Sequence, residues 1–165
     1  MSYFAEGPFS NPVYQRTANT VTQASSSSAN TFSTITGTEV TYTPTASATS
    51  VIFEASFFMQ QTTDRFFQLF RIEYDTTGTG SWAEFNVRYS RNIGNSGSSS
   101  QSYRDLRHFR WVLPAWSGAR PLRVSVGSHA SGRAANYHGL TVWDGASAGS
   151  PTTVLTDTCV MVYEI

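Results

Sequence analysis

The stretch Val51-Ile52-Phe53-Glu54-Ala55-Ser56-Phe57-Phe58-Met59 decides how this chain is read. Taken with a period of two, Val51, Phe53, Ala55, Phe57 and Met59 form an unbroken apolar row, and Glu54 and Ser56 fall in the other row. Successive side chains of a strand point to opposite faces, so this is a strand with one face turned to a core. Neighbouring stretches repeat the pattern. Val40 and Tyr42 share a face in Glu39-Val40-Thr41-Tyr42-Thr43. Over 65–75, Phe66, Phe70, Ile72 and Tyr74 lie opposite Arg71 and Glu73. Over 82–90, Ala83, Phe85, Val87 and Tyr89 alternate with Glu84, Asn86 and Arg88. Further runs cover 106–113, 122–126, 140–143 and 154–165.

Turn formers separate these runs: Thr-Gly-Thr-Gly at 77–80, the Gly- and Ser-rich 94–102, Ser117-Gly118 and Asp144-Gly145. No stretch has convincing helical periodicity, and β-branched and aromatic residues outnumber the strong helix formers. Eight or nine strands joined by polar loops predict an all-β chain. The expected form is an antiparallel β-sandwich, jelly-roll-like, rather than a βαβ fold.

Composition narrows the function classes. The chain has 165 residues, about one domain, and is rich in Ser and Thr. Its eleven basic residues are all Arg, balance eleven carboxylates and form no charged tail. A non-specific grip on nucleic acid or an anionic membrane needs clustered positive charge, so neither is expected as a partner. No apolar run reaches the length of a membrane span, and the N-terminus lacks the basic and apolar regions of a signal peptide. Cys159 stands alone, and no Cys/His cluster has zinc spacing. No metal or cofactor is expected.

Residues 1–30 differ from the remainder. Glu6-Gly7-Pro8-Phe9-Ser10-Asn11-Pro12 is turn-rich, 24–30 is nearly all Ser, and 13–21 suits one short edge strand. They read as an extended N-terminal arm with a Ser-rich joint, ahead of a sandwich over 31–165. Tyr3, Phe4, Phe9 and Tyr14 are wasted on a free tail, since burying each aromatic contributes about 2 kcal/mol. Packing on a neighbouring subunit uses them; folding back on the same sandwich is the other placement, and simple disorder a third. The eleven Phe and four Trp likewise suit burial between subunits, which predicts a homotrimer.

No catalytic constellation stands out, and an enzyme is not expected. Ser128, His138 and Asp144 can be assembled on paper into a triad, but the Gly-x-Ser-x-Gly elbow is missing. His129 and His138 flank 130–137, which reads as one long loop, and have no metal-ligand spacing. Glu73 and Glu84 face each other across the 77–80 turn, as a glycosidase pair would. Their neighbours Arg71 and Arg88 favour cross-strand ion pairing instead. Arg104, Arg107 and Arg110 form the densest charged patch, suited to an anion or to acidic residues of a partner protein. Trp111, Trp116 and Trp143 are candidates for sugar stacking, with core positions as the plainer alternative.

Two segments carry a resemblance. Ile35-Thr36-Gly37-Thr38-Glu39-Val40-Thr41-Tyr42-Thr43-Pro44, followed by Ser50-Val51-Ile52-Phe53-Glu54-Ala55-Ser56-Phe57, resembles the opening of small β-rich virion proteins of tailed bacteriophages, notably marine and cyanobacterial ones. Those chains also end in an apolar strand like Val160-Met161-Val162-Tyr163-Glu164-Ile165. The resemblance implies a jelly-roll-like, usually trimeric structural protein on the virion. It implies capsid decoration or cement, with the major capsid protein or other virion proteins as partners. The alternative is a tail-fibre protein that recognises a host glycan or surface protein. A short chain opening on Met with a sticky arm suits decoration better than a fibre tip. No catalytic residue travels with the resemblance.

Overall fold

The computed structural model describes residues 10–24, 28–61, 66–93, 103–129, 131, 135–142 and 152–165. These contain strands and connecting turns and no helix. In chain order the strands are β1 (Ser10–Thr17), β2 (Gln23–Ala24), β3 (Phe32–Thr34), β4 (Val40–Tyr42), β5 (Ser50–Gln61), β6 (Phe66–Asp75) and β7 (Trp82–Ile93). They continue as β8 (Tyr103–Pro114), β9 (Arg120–Ser128), β10 (Ala135–Tyr137), β11 (Gly139–Val142), β12 (Thr152–Leu155) and β13 (Thr158–Glu164).

The pairing makes two antiparallel sheets. In the first, β5 carries β8 along its whole length on one edge. Its other edge is shared, β13 pairing with Val51–Ser56 and β10 with Met59–Gln61. Outside those lie β1 on β13 and β2 on β10. In the second sheet, β3 and β4 share one edge of β9, followed by β6 and β7. Collinear short strands aside, the orders are β1-β13-β5-β8 and β4-β9-β6-β7, and along these eight strands the chain changes sheet at every step except β6 to β7. That is the interlocked Greek-key order of an eight-stranded jelly roll. A separate β11–β12 hairpin hangs from β10.

The core forms where the apolar rows of the two sheets meet. Val51, Phe53, Ala55, Phe57 and Met59 are all buried, as their alternation requires. They pack with Phe109, Trp111 and Leu113 of β8 and Val160 and Val162 of β13, against Phe70, Ile72, Leu122, Val124 and Val126 of the second sheet. Aromatic contacts run through the middle. Phe109 lies 4.5 Å from Phe70, 5.5 Å from Phe57 and 5.5 Å from Trp111, centroid to centroid. Contacts of this kind add about 0.5–1.5 kcal/mol each to the area they bury.

The 77–80 signal makes the β6–β7 hairpin. The Asp75 carboxylate accepts hydrogen bonds from the amides of Thr77, Gly78 and Gly80 at 3.0, 3.0 and 2.7 Å. Those bonds hold its carboxyl below the usual range. Gly78 and Gly80 take φ of 69° and 86°, a region glycine enters without steric cost.

Three expectations meet a different outcome. The run expected over 154–165 divides into β12 and β13, because Thr156 donates its amide to the His138 carbonyl and Asp157 pairs with Arg16. The loop expected between His129 and His138 contains β10, where Ala135 and Tyr137 are buried and Tyr137 donates to the Gln68 side chain. The described part of the expected arm is two strands of the chain's own sandwich. Val13 packs on the core, and β1 completes the free edge of β13, so residues 10–24 take the fold-back placement. Tyr3, Phe4 and Phe9 lie outside the described residues, as do 25–27 of the Ser-rich joint.

Candidate functional site

The outward faces of the two sheets differ in chemistry. On the second sheet, Glu73 of β6 stands opposite Glu84 of β7 in register. The Arg71 guanidinium lies between them, bonded to Glu73 and, at 3.3 Å, to Glu84. Arg123 of β9 reaches the other oxygen of Glu73 at 2.8 Å. Each guanidinium also covers a ring at 3.7 Å, Arg71 over Phe32 and Arg123 over Trp82. Phe32 in turn lies over Gly127, where a Cβ would sit 3.2 Å from the ring. Two cations and two carboxylates cancel in this ladder, and Glu73 is left buried. The carboxylates are held by Arg71, as expected, and by Arg123 of β9, which was not expected; the Arg88 side chain lies outside the described residues.

The first sheet presents a different surface. Tyr14 and Met161 are register partners on β1 and β13, and both are exposed. Val112 on β8 pairs with Ile52, and Leu106 with Phe58. Leu106 is 63% exposed, Val112 55% and Tyr14 65%. Between them runs a thin polar seam. Arg110 Nε lies 3.4 Å from Glu54 Oε1, Tyr163 donates to the same carboxylate at 3.1 Å, and His108 Nδ1 meets Ser56 Oγ at 2.8 Å. Leu106, Val112, Tyr14 and Met161 thus stand around a small charged centre.

The three-arginine patch does not form one surface. Arg107 shares the strand parity of Phe109, Trp111 and Leu113 and is 5% exposed, whereas Arg110 sits on the opposite, outward parity. Arg104 occupies the β8 position paired with Gln60. The period of two separates residues three apart, so a charge cluster contiguous in sequence is divided between faces.

The paper triad does not form an exposed nucleophile site. Ser128 and His138 are buried and Asp144 lies outside the described residues. His138 Nδ1 is 3.2 Å from Thr158 Oγ1, and Nε2 is 3.3 Å from Gln23 Oε1. Burial pushes its imidazole down to about 4, so the ring is neutral at pH 7. His129 is exposed. Among the described residues no three His, Cys, Asp or Glu side chains gather as metal ligands. Trp111 is core, edge-on to Phe53. Trp116 is half-buried between Tyr42 and Phe85, at centroid distances of 6.3 and 5.8 Å. Trp143 lies outside the described residues.

One polar centre was not anticipated. Glu164 lies on the inward parity of β13 with Val160 and Val162, and is buried. Its carboxylate accepts from the Thr45 amide at 2.7 Å and the Thr45 hydroxyl at 2.6 Å, with the Tyr42 hydroxyl at 3.5 Å. Burial and this carboxylate push Tyr42 up to about 12. The available signal was a glutamate standing on the apolar row of an otherwise apolar strand.

No family model matches the sequence, and no curated protein matches it. Among solved structures, the chain is similar to one described as the structure of Eiger TNF from S. frugiperda. The two share 7% identity over 96% of this chain and 94% of that one, with a TM-score of 0.41. Agreement at that level carries no argument about function.

Proposed function

We propose that this chain is a structural protein of a bacteriophage virion, a decoration or cement subunit that works by contact rather than by chemistry. The observation that supports this reading is the contrast between the two outward faces. Among the described residues, one carries a ladder in which two arginines pair two carboxylates; the other leaves Tyr14, Leu106, Val112 and Met161 exposed around a small polar seam. Exposed apolar side chains gathered on one sheet face suit a protein–protein interface. In this reading the partners are further copies of the chain, assembled as a homotrimer, and the major capsid protein. Each subunit need contribute only a few kcal/mol, because the contacts repeat over the shell and act by mass action.

The test is a thermal-release measurement on particles with and without the protein, together with its localisation on purified particles by electron microscopy. The expected result is that particles lacking it release DNA at a lower temperature. If they keep their thermal stability but no longer adsorb to cells, the decoration reading fails and the tail-fibre reading replaces it.

A further inference from the structure

At one end of the sandwich the β4–β5 and β8–β9 loops enclose an open cleft of about 510 Å³. Pro44, Thr45 and Ala46 line one wall, and Trp116 and Ser117 the other. Both walls are fixed from beneath. The buried Glu164 carboxylate holds Thr45 by amide and hydroxyl, and Tyr42, bonded at 3.0 Å to the Asn11 carbonyl, stands against the edge of Trp116. Trp116 also rests on Phe85, and the Arg120 guanidinium lies 5.8 Å from its ring. A charged group buried to hold a surface loop is costly unless every bond is made. Here it holds the cleft in one shape before anything binds, which reduces the ordering cost of binding.

We propose that this cleft binds a neutral saccharide, one pyranose ring stacking on the half-buried Trp116 indole. Among the described residues no charged side chain lines the cleft, and the nearby Arg120 guanidinium is engaged over the Tyr74 and Trp116 rings, which favours a neutral ligand. Among the described residues Trp116 is the one aromatic side chain lining the cleft, and the part of its indole not packed on Tyr42 and Phe85 offers an apolar surface for the C–H face of a sugar ring. The Ser117 hydroxyl and the exposed backbone of both loops supply hydrogen-bonding groups at its edge. A polyproline ridge needs a groove between aromatic walls. Tyr42 is buried, so among the described residues Trp116 is the one aromatic lining the cleft, and the sugar is the better fit. The inference stands apart from the decoration reading, because the cleft lies at a loop end and not on the outward sheet face.

The experiment is saturation-transfer NMR on the full chain with glucose, galactose, mannose and N-acetylglucosamine, followed by titration of the indole N–H signals. The expected result is transfer to the ring C–H protons of at least one sugar and movement of one indole signal. Trp116→Ala is expected to abolish both. Because that variant also removes packing against Phe85, Ala46→Phe serves as a second block, at an exposed rim position. It is expected to weaken binding by roughly tenfold or more while leaving the fold intact. Absence of transfer to all four sugars overturns the proposal. So does transfer that Ala46→Phe leaves unchanged, or a polyproline peptide moving the Trp116 signal where the sugars do not.

Discussion

Acid is expected to destabilise this fold through one residue, His138. It joins β10 to β11 with φ of 69° and is fully buried. Its folded-state value is pushed down to about 4 by burial, against about 6.5 for an exposed imidazole in the unfolded chain. Below pH 6.5 the unfolded chain takes up a proton that the folded chain refuses. Stability therefore falls as pH drops from about 6.5 to about 4, and is fully present above that window. The difference between the two values, at ~1.36 kcal/mol per pH unit, corresponds to about 3 kcal/mol. Urea unfolding between pH 7.5 and 4.5 measures it. His138→Asn is the control, since asparagine tolerates a positive φ and does not titrate. The variant is expected to lose about 1–2 kcal/mol at pH 7.5 from the smaller side chain. Its stability is then expected to fall by about 2–3 kcal/mol less than that of the unaltered chain on acidification. Parallel pH profiles for the two proteins would refute the reasoning, as would an NMR titration placing the His138 imidazole near 6.5.

Glu73→Ala leaves Arg71 and Arg123 without their shared carboxylate, and is expected to cost about 3 kcal/mol in urea unfolding, near the lower end for breaking a buried pair. Leu106→Glu and Val112→Glu, both at exposed sites, are expected to change stability by less than about 0.5 kcal/mol. In the decoration reading they abolish trimer formation and capsid binding, as read by light scattering and co-sedimentation with capsids. Removal of residues 1–30 takes away β1 and β2 and uncovers the edge of β13, so it is expected to lose several kcal/mol of stability or to aggregate. A fully stable 31–165 chain would show that β1 contributes little to the sandwich.

The strand positions were largely legible because alternation is local. The rows Val51 to Met59 and Phe70 to Ile72 point to a core whichever strand lies beside them, and the Thr-Gly-Thr-Gly turn joins β6 to β7 over a separation of a few residues. The pairing of Arg71 with the hairpin carboxylates was also readable from the Arg and Glu alternation, whereas Arg123 reaches Glu73 from β9. The Trp116 cleft was only half visible. Its indole stood among the candidates, but the opposite wall comes from residues about seventy positions earlier, held by a glutamate near the C-terminus.

What the amino-acid order determined by itself was the fold class, the faces of the long strands and the balance of eleven arginines against eleven carboxylates. Tertiary structure alone decided that β1 lies on β13, that β10 shares an edge with it on β5, and that Arg107 is buried while Arg110 faces outward beside Glu54. The physical reason is that a pleated strand specifies its two faces but leaves both edges open to any partner. Which edge is taken depends on how the whole set of apolar rows can be buried at once, and that is a property of the two sheets together.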